Sequence, residues 1–345
     1  MEAKKMITVL IVLLAIIVSP IWSGGSKSNT QSGSGETDRL LREPLTFRVA
    51  FAETQDTNVV VFLSGAYKKA SELTNGEIKF EIFPSGQLGT IPDFIEQMRA
   101  GAPIICNAGI DNLADIVPEF MPAAVPYAYL DITEISKLIK TPWMANIRKL
   151  LISKAGLYPV GIGAAGYRHF LSRRPIQNAS SISGMKIRMG PSAMAQGYIR
   201  VMGGSPIANN WVDNYPSLQQ NVFDACEASL SLLYSSSLYE VTKYLTLSGH
   251  FITPIVQTTS SGAWARIPAP YQKIIEDCVA EGLVALLNDI QKTEQPLIQQ
   301  FKDKGIEVIE PDKSTFAAYT PRLLESLGYK AQDYYDFRNA IESVR

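Results

Sequence analysis

The sequence predicts an α/β protein of two lobes behind an export signal. Three observations carry this reading. An apolar leader follows two lysines, strand-like and helix-like segments alternate along the remainder, and the length suits two ordinary domains with buried cores. With 345 residues, 46% hydrophobic and 19% charged, the chain has the composition of a globular protein rather than a disordered one. The net charge of −1 offers no electrostatic footprint for nucleic acid, and none is expected as a partner.

Lys4 and Lys5 precede an unbroken apolar run from Ile7 to Val18, followed by Ser19, Pro20, Ser23, Gly24 and Gly25. A basic start, an apolar run of about 12 residues and a small-residue exit describe a secretory signal over 1–25. The run is shorter than the roughly 20 residues that span a bilayer. The expected location is therefore the periplasm or another extracytoplasmic space, with retention of the signal as an anchor as the alternative. Residues 26–43, rich in Ser, Gly, Thr and charge, read as a flexible tether.

From Leu45 the segments follow in order. Leu45–Phe51 alternates apolar and polar residues as a strand does. Val59, Phe62, Leu63, Ala66, Tyr67 and Ala70 form one helical stripe that Asn75-Gly76 stops. Glu77–Phe83 is a strand closed by Pro84-Ser85-Gly86, 93–99 is helical, and Pro103–Cys106 is a short strand. Tyr158–Ile162, Tyr167–Pro175 and Met185–Met189 read as strands, and Ser192–Met202 as a helix ended by Gly203-Gly204. A long helix starts near Pro270 and runs, with a kink at Pro296, to Lys302; the strand Ile306–Ile309 follows. Strands alternating with helices imply a largely parallel sheet covered on both faces.

Charge is unevenly distributed. Residues 135–212 hold no Asp or Glu but eleven Lys and Arg. Most of these suit solvated faces. Arg188 differs, because it ends the apolar strand Met185-Lys-Ile-Arg-Met189, on the face opposite Ile187. The C-terminal end of a strand in an open α/β sheet is where such sheets bind ligands. A planar guanidinium there matches a carboxylate with two charge-assisted hydrogen bonds.

Catalytic signals are weak. Gly161-Ile-Gly-Ala-Ala-Gly166 formally matches a dinucleotide fingerprint, but a strand-like segment follows where the fingerprint needs a helix. The acid-free window also lacks the carboxylate that would hold a ribose. A glycine-rich crossing between lobes fits better. His169 and His250 lie in no recognisable metal or hydrolase motif, and His250 is expected to cap or pack near a hinge. Cys106, Cys226 and Cys278 have no metal-ligand spacing and read as small buried hydrophobes. No catalytic residues, cofactor or metal are expected.

Several ordered blocks resemble one family. Leu73-Thr-Asn-Gly-Glu-Ile-Lys-Phe-Glu-Ile-Phe-Pro-Ser-Gly-Gln-Leu-Gly89 is similar to the opening signature of the DctP-type substrate-binding proteins of TRAP (tripartite ATP-independent periplasmic) transporters. Ser183-Gly-Met-Lys-Ile-Arg-Met189 resembles its central segment. Gly204-Ser-Pro206, Trp211, Asp213, Tyr215 and Leu218–Asp224 resemble its next block, and Lys243–His250 the return to the first lobe. The resemblance implies a periplasmic-binding-protein-like fold of two lobes, each a sheet flanked by helices, with a long helix spanning both. It suggests lobe I over 44–165 plus 254–293 and lobe II over 166–253 plus 294–345. It makes Arg188 the carboxylate-binding arginine, Arg168 a second basic contact and Trp211 an aromatic wall, with Asp213 and Ala228 further site positions. Ala228 stands where the family carries a ligand-touching Asn, Ile91 where it often carries an acid, and Asp213 where it has Glu. The broad face of Trp211, together with Ala228 and Ile91, leads to an expected ligand that is a monocarboxylate with a largely apolar body.

The implied function is capture of a small organic acid by hinge closure and its delivery to a TRAP-type membrane permease, by a monomer. A secreted two-lobed enzyme and a ligand-sensing receptor subunit without transport remain the alternatives.

Overall fold

A computed structural model describes residues 40–344. The leader and nearly all of the tether lie outside the described residues. The described part of the tether ends at the first strand, where the Leu41 amide donates to Glu77 Oε2 at 2.7 Å.

Nine strands form one continuous sheet: β1 (Leu45–Ala50), β2 (Ile78–Phe83), β3 (Ile104–Gly109), β4 (Leu157–Ser172), β5 (Lys186–Met189), β6 (Ser205–Ala208), β7 (Ala225–Ser229), β8 (Tyr244–Ser260) and β9 (Glu307–Ile309). The order is β2-β1-β3-β8-β4-β7-β5-β6, with β9 beside β8. At one end β2, β1 and β3 are parallel; at the other β7, β5 and β6 are parallel. Between them run two long antiparallel strands, β4 of 16 residues and β8 of 17. The first half of β8 pairs with β9 and its second half with β3, while the last residues of β4 pair with β7. Two lobes thus share one hydrogen-bonded sheet. The parallel arrangement expected from βα alternation holds at the two ends but not in the centre, where two strands cross between lobes in opposite directions.

The β4 segment corrects the reading of two separate strands. Gly161-Ile-Gly-Ala-Ala-Gly166 lies inside the strand, because the long helix Ala269–Asp303 packs directly on it. A Cβ on Gly161 would sit 2.7 Å from Val279 Cγ1, and one on Gly163 would sit 2.6 Å from Leu283 Cδ2. The glycines serve close helix–strand approach rather than a phosphate. The β4–β8 ladder shifts register between Ala164 and Tyr167 and between Arg168 and Phe170, and Gly166 adopts φ +105°.

Packing follows the sequence pattern. Val59, Leu63, Ala66, Tyr67 and Ala70 form the buried stripe of helix Asn58–Leu73. The long helix has 35 residues, continues through Pro296, and buries Ile275, Val279, Leu283, Leu286 and Ile290 at helical spacing. The large apolar cluster centres on the first lobe and continues along the long helix, and a smaller one around Leu218, Leu233 and Phe301 fills part of the second. All three cysteines are buried and unpaired. No described helix is long and apolar enough to cross a membrane.

Candidate functional site

Arg188 lies near the C-terminal end of β5, flanked by the fully buried Ile187 and Met189. The parallel partner β6 ends one residue before Asn209, which brings the Asn209 carbonyl under the guanidinium. Nε donates to it at 3.1 Å and Nη2 at 2.7 Å. The guanidinium carbon lies 5.1 Å from the centre of the Trp211 ring. That ring is fixed in turn by Nε1 donating to Ser236 Oγ at 2.8 Å. Arg188 is only 7% exposed, yet no carboxylate among the described residues forms an ion pair with it. Burial pushes it down to about 10, with Glu227 pulling the other way, so it stays cationic at neutral pH.

Arg168, on β4, is engaged differently. Its Nε donates to Glu227 Oε2 at 2.5 Å, and its Nη2 donates to Oε1 at 2.7 Å and to the Glu227 carbonyl at 3.0 Å. The strand register explains the meeting: Arg168 pairs with Ser229, and Glu227 stands two residues back on β7. Burial would raise Glu227, but Arg168 first and His250 next outweigh it and hold the carboxyl at about 2. Arg168 is therefore already neutralised by a carboxylate that sequence reading passed over. An acid two residues beyond Cys226's neighbour Ala225, inside an otherwise small-residue strand, was the available signal.

His250 is buried, stacked on Phe170 with centroids 4.3 Å apart, and bonded through Nδ1 to Ser248 Oγ at 2.7 Å. Burial lowers its pKa and keeps it neutral. Its other ring neighbours are Tyr198 and Phe251. His169 accepts from the Gly249 amide at Nδ1, which leaves its Nε2 proton for Glu294 Oε1 at 3.1 Å.

Arg188, Arg168, Trp211 and Glu227 line one cavity of about 130 Å³, whose opposite wall is built from Glu53, Asn107 and Asp111 of the first lobe. Ile91 also lines it, consistent with a position beside the cleft. Two expected site residues do not reach it. Asp213 is exposed, in the single turn that follows Trp211, outside the lining. Ala228 is fully buried in the second apolar cluster, because strand alternation turns it away from the face that carries Glu227. The expectation of an apolar ligand rested on Trp211, Ala228 and Ile91; of these Trp211 and Ile91 line the cavity and Ala228 does not, and Glu53, Asn107 and Asp111 stand on the wall opposite.

Contacts across the cleft join the two sides. Ser192 Oγ donates to Asp111 Oδ2 at 2.6 Å, and the Ala193 amide, opening helix Ala193–Val201, reaches both Asp115 oxygens at 3.4 Å. Thr54 Oγ1 and Ser235 Oγ lie 3.0 Å apart. No cluster of His, Cys, Asp and Glu able to hold a metal occurs among the described residues.

Comparison with known proteins agrees with this geometry. The family model for DctP, bacterial extracellular solute-binding protein family 7, matches residues 52–327. The sialic acid-binding periplasmic protein SiaP of Vibrio cholerae is 25% identical over 245 residues, 71% of this chain and 76% of that one. A TRAP periplasmic solute binding protein of Actinobacillus succinogenes with bound L-galactonate superposes with a TM-score of 0.82 at 26% identity, covering 86% of this chain and 99% of that one. A TRAP periplasmic solute binding protein of Escherichia fergusonii in an apo open form gives 0.72 at 26% identity, over 87% and 99%. This chain belongs to the DctP family, the bacterial extracellular solute-binding proteins of family 7.

Proposed function

We propose that this protein captures a carboxylic acid in the cavity between its lobes, with Arg188 as the anchor of the ligand carboxylate, and hands it to the membrane subunits of a TRAP-type permease outside the cytoplasm. The observation that carries the reading is the contrast between the two arginines. Arg168 has its carboxylate in Glu227, while Arg188 is buried with, among the described residues, only a backbone carbonyl and an aromatic face for company. Burying an unpaired cation costs stability unless a partner arrives, and a ligand carboxylate is such a partner. Trp211 forms the wall beside it, and Arg168 with Glu227 forms the floor.

Capture proceeds by closure of the lobes, a shift of population toward a closed form that the ligand favours. The cross-cleft bond of Ser192 to Asp111 supports reading the present arrangement as closed, as does the higher TM-score against the L-galactonate-bound relative than against the open one. Crossings near residues 165–166 and 253–254, next to the register shifts and Gly166, divide the lobes as 44–165 plus 254–293 and 166–253 plus 294–345. The reading takes the protein as a monomer that turns nothing over.

The test is calorimetry on refolded, ligand-free protein with a panel of carboxylic acids, repeated with Arg188→Lys. A lysine cannot reproduce the planar fork, so affinity is expected to fall at least about tenfold. Unchanged affinity in a folded Arg188→Lys protein overturns the assignment.

A further inference from the structure

The cavity is electrically two-ended. Its lining holds three carboxylates, Glu53, Asp111 and Glu227, against two guanidiniums, Arg168 and Arg188. Burial opposes the charge on Arg168, and Glu227, Asp111 and Glu53 together outweigh it, so one cation answers three acids at that end. Glu227 alone takes both Nε and Nη2 of Arg168. Asp111 is met by neutral donors, Asn112 Nδ2 at 3.1 Å and Ser192 Oγ at 2.6 Å. At the other end Arg188 spends Nε and Nη2 on the Asn209 carbonyl, and its Nη1 has no protein acceptor among the described residues. One end therefore lacks an anion and the other a cation.

The acidic end is built rather than incidental. Tyr67 donates through its hydroxyl to Gln257 Oε1 at 2.9 Å, Gln257 Nε2 donates to Asn107 Oδ1 at 2.7 Å, and Asn107 Nδ2 donates to Glu53 Oε1 at 2.7 Å. Every donor in this relay points toward Glu53, which polarises the chain in favour of the carboxylate. Tyr67 and Gln257 are fully buried and Asn107 is 3% exposed, so the lobe core fixes the relay. Glu53 Oε2, the remaining oxygen, is buried without a hydrogen-bond partner among the described residues. A buried carboxylate oxygen without a donor is costly unless something else supplies one.

We propose that Glu53 and Asp111 receive an ammonium group of the ligand, so that the captured acid is an amino-substituted carboxylic acid, with its carboxylate on Arg188 and its ammonium at the opposite wall. The inference rests on the reading of Arg188 as the carboxylate anchor. An ammonium carries three N–H donors and no acceptor, which suits two carboxylates that only accept. A hydroxyl brings one donor and no charge, so the acidic end would stay unneutralised, and a second ligand carboxylate would add to the excess. Burial raises the Glu53 pKa, its backbone contacts, Asn107 and Arg168 draw it down, and a ligand cation at Oε2 adds to that downward pull.

The test is calorimetry on ligand-free protein with glycine, β-alanine, γ-aminobutyrate and δ-aminovalerate, each matched with the alkanoate and the hydroxy acid of equal chain length. At the length that spans the two ends, wild type is expected to bind the amino acid at least about tenfold more tightly than either match, as a charge-assisted contact is gained. Glu53→Gln keeps the side-chain shape and an acceptor for Asn107 but removes the charge. It is expected to weaken the amino acid about tenfold and leave the alkanoate within about twofold. Tighter binding of the hydroxy acid or alkanoate at every length, no binding of any of the amino acids, or equal loss for amino acid and alkanoate in Glu53→Gln each overturns the proposal. The wild-type ranking needs no variant, so it decides the matter even if Glu53→Gln fails to fold. Arg188→Lys separates the two readings: it lowers affinity for amino acid and alkanoate alike, whereas Glu53→Gln alters only their ratio.

Discussion

Glu227 closes both carboxylate oxygens on Arg168, Oε2 on Nε at 2.5 Å and Oε1 on Nη2 at 2.7 Å, while Arg188 in the same cavity has no carboxylate partner among the described residues. The Glu227 side chain is 2% exposed and that of Arg168 is 21% exposed. Removing the carboxylate charge leaves a largely buried guanidinium uncompensated.

Glu227→Gln is therefore expected to lower stability by about 3 kcal/mol at neutral pH, the low end for breaking a buried pair. The pH dependence follows from the direction of the shift. The carboxyl is held at about 2 in the folded protein against an ordinary 4.5. Its contribution is full above pH 4.5 and is lost as pH falls toward 2. Urea melts should show the gap between wild type and Glu227→Gln shrinking over that window and constant above it. A gap that persists undiminished at pH 2.5 contradicts the ion-pair account.

Trp211 presents its face to Arg188 and anchors its edge to Ser236. Trp211→Leu removes the cation–π contact, worth roughly 0.5–2 kcal/mol, and part of the wall. Affinity for a carboxylic acid that binds wild type should fall about two- to thirtyfold, the same range expressed as a ratio. Trp211→Phe, which keeps an aromatic face and loses the Ser236 bond, should fall less. Calorimetry on the three proteins orders them.

Asp111 meets Ser192 across the cleft, so it acts on the closed form. Asp111→Ala is expected to speed ligand dissociation severalfold while association changes less, since changes at one interface reside mostly in the off-rate. Asp111→Asn, which keeps an acceptor for the Ser192 hydroxyl, should lie between. Stopped-flow tryptophan fluorescence measures both rates. A change confined to association would place Asp111 outside the closing contact.

Gly163 on β4 has no room for a side chain: an added Cβ would lie 2.6 Å from Leu283 Cδ2 and 3.2 Å from Leu283 Cβ. Gly163→Ala should destabilise by about 1–3 kcal/mol through overpacking. Combining it with Leu283→Ala should recover part of that loss, a coupling visible only between residues in contact. Strict additivity in thermal or urea melts would contradict the packing account.

Much of the fold was legible in the chain because its signals are local. Period-2 alternation placed β1 and β2 to within a residue or two, the stripe from Val59 to Ala70 placed its helix, and helical spacing carried the long helix through Pro296. Arg188 was legible for the same reason, as a charge at the end of an apolar strand whose face the alternation specifies. Family resemblance added Arg168 and Trp211, and both line the cavity.

What the sequence determined by itself was the secondary structure of β1, β2, β5 and the two long helices, the α/β class and the place of Arg188 at a strand end, which depend on neighbours a few residues apart. Only tertiary structure decided how β4 and β8 join both lobes into one sheet, because pairing of Arg168 with Phe251 spans about eighty residues of chain. It also decided that Glu227 occupies Arg168, that Ala228 faces the core and Asp213 the solvent, and that Tyr67, Gln257 and Asn107 converge on Glu53. Those outcomes follow from strand register and from which buried polar groups find partners. Neither is written in local periodicity, because a hydrogen bond between distant residues exists only once the backbone has brought them together.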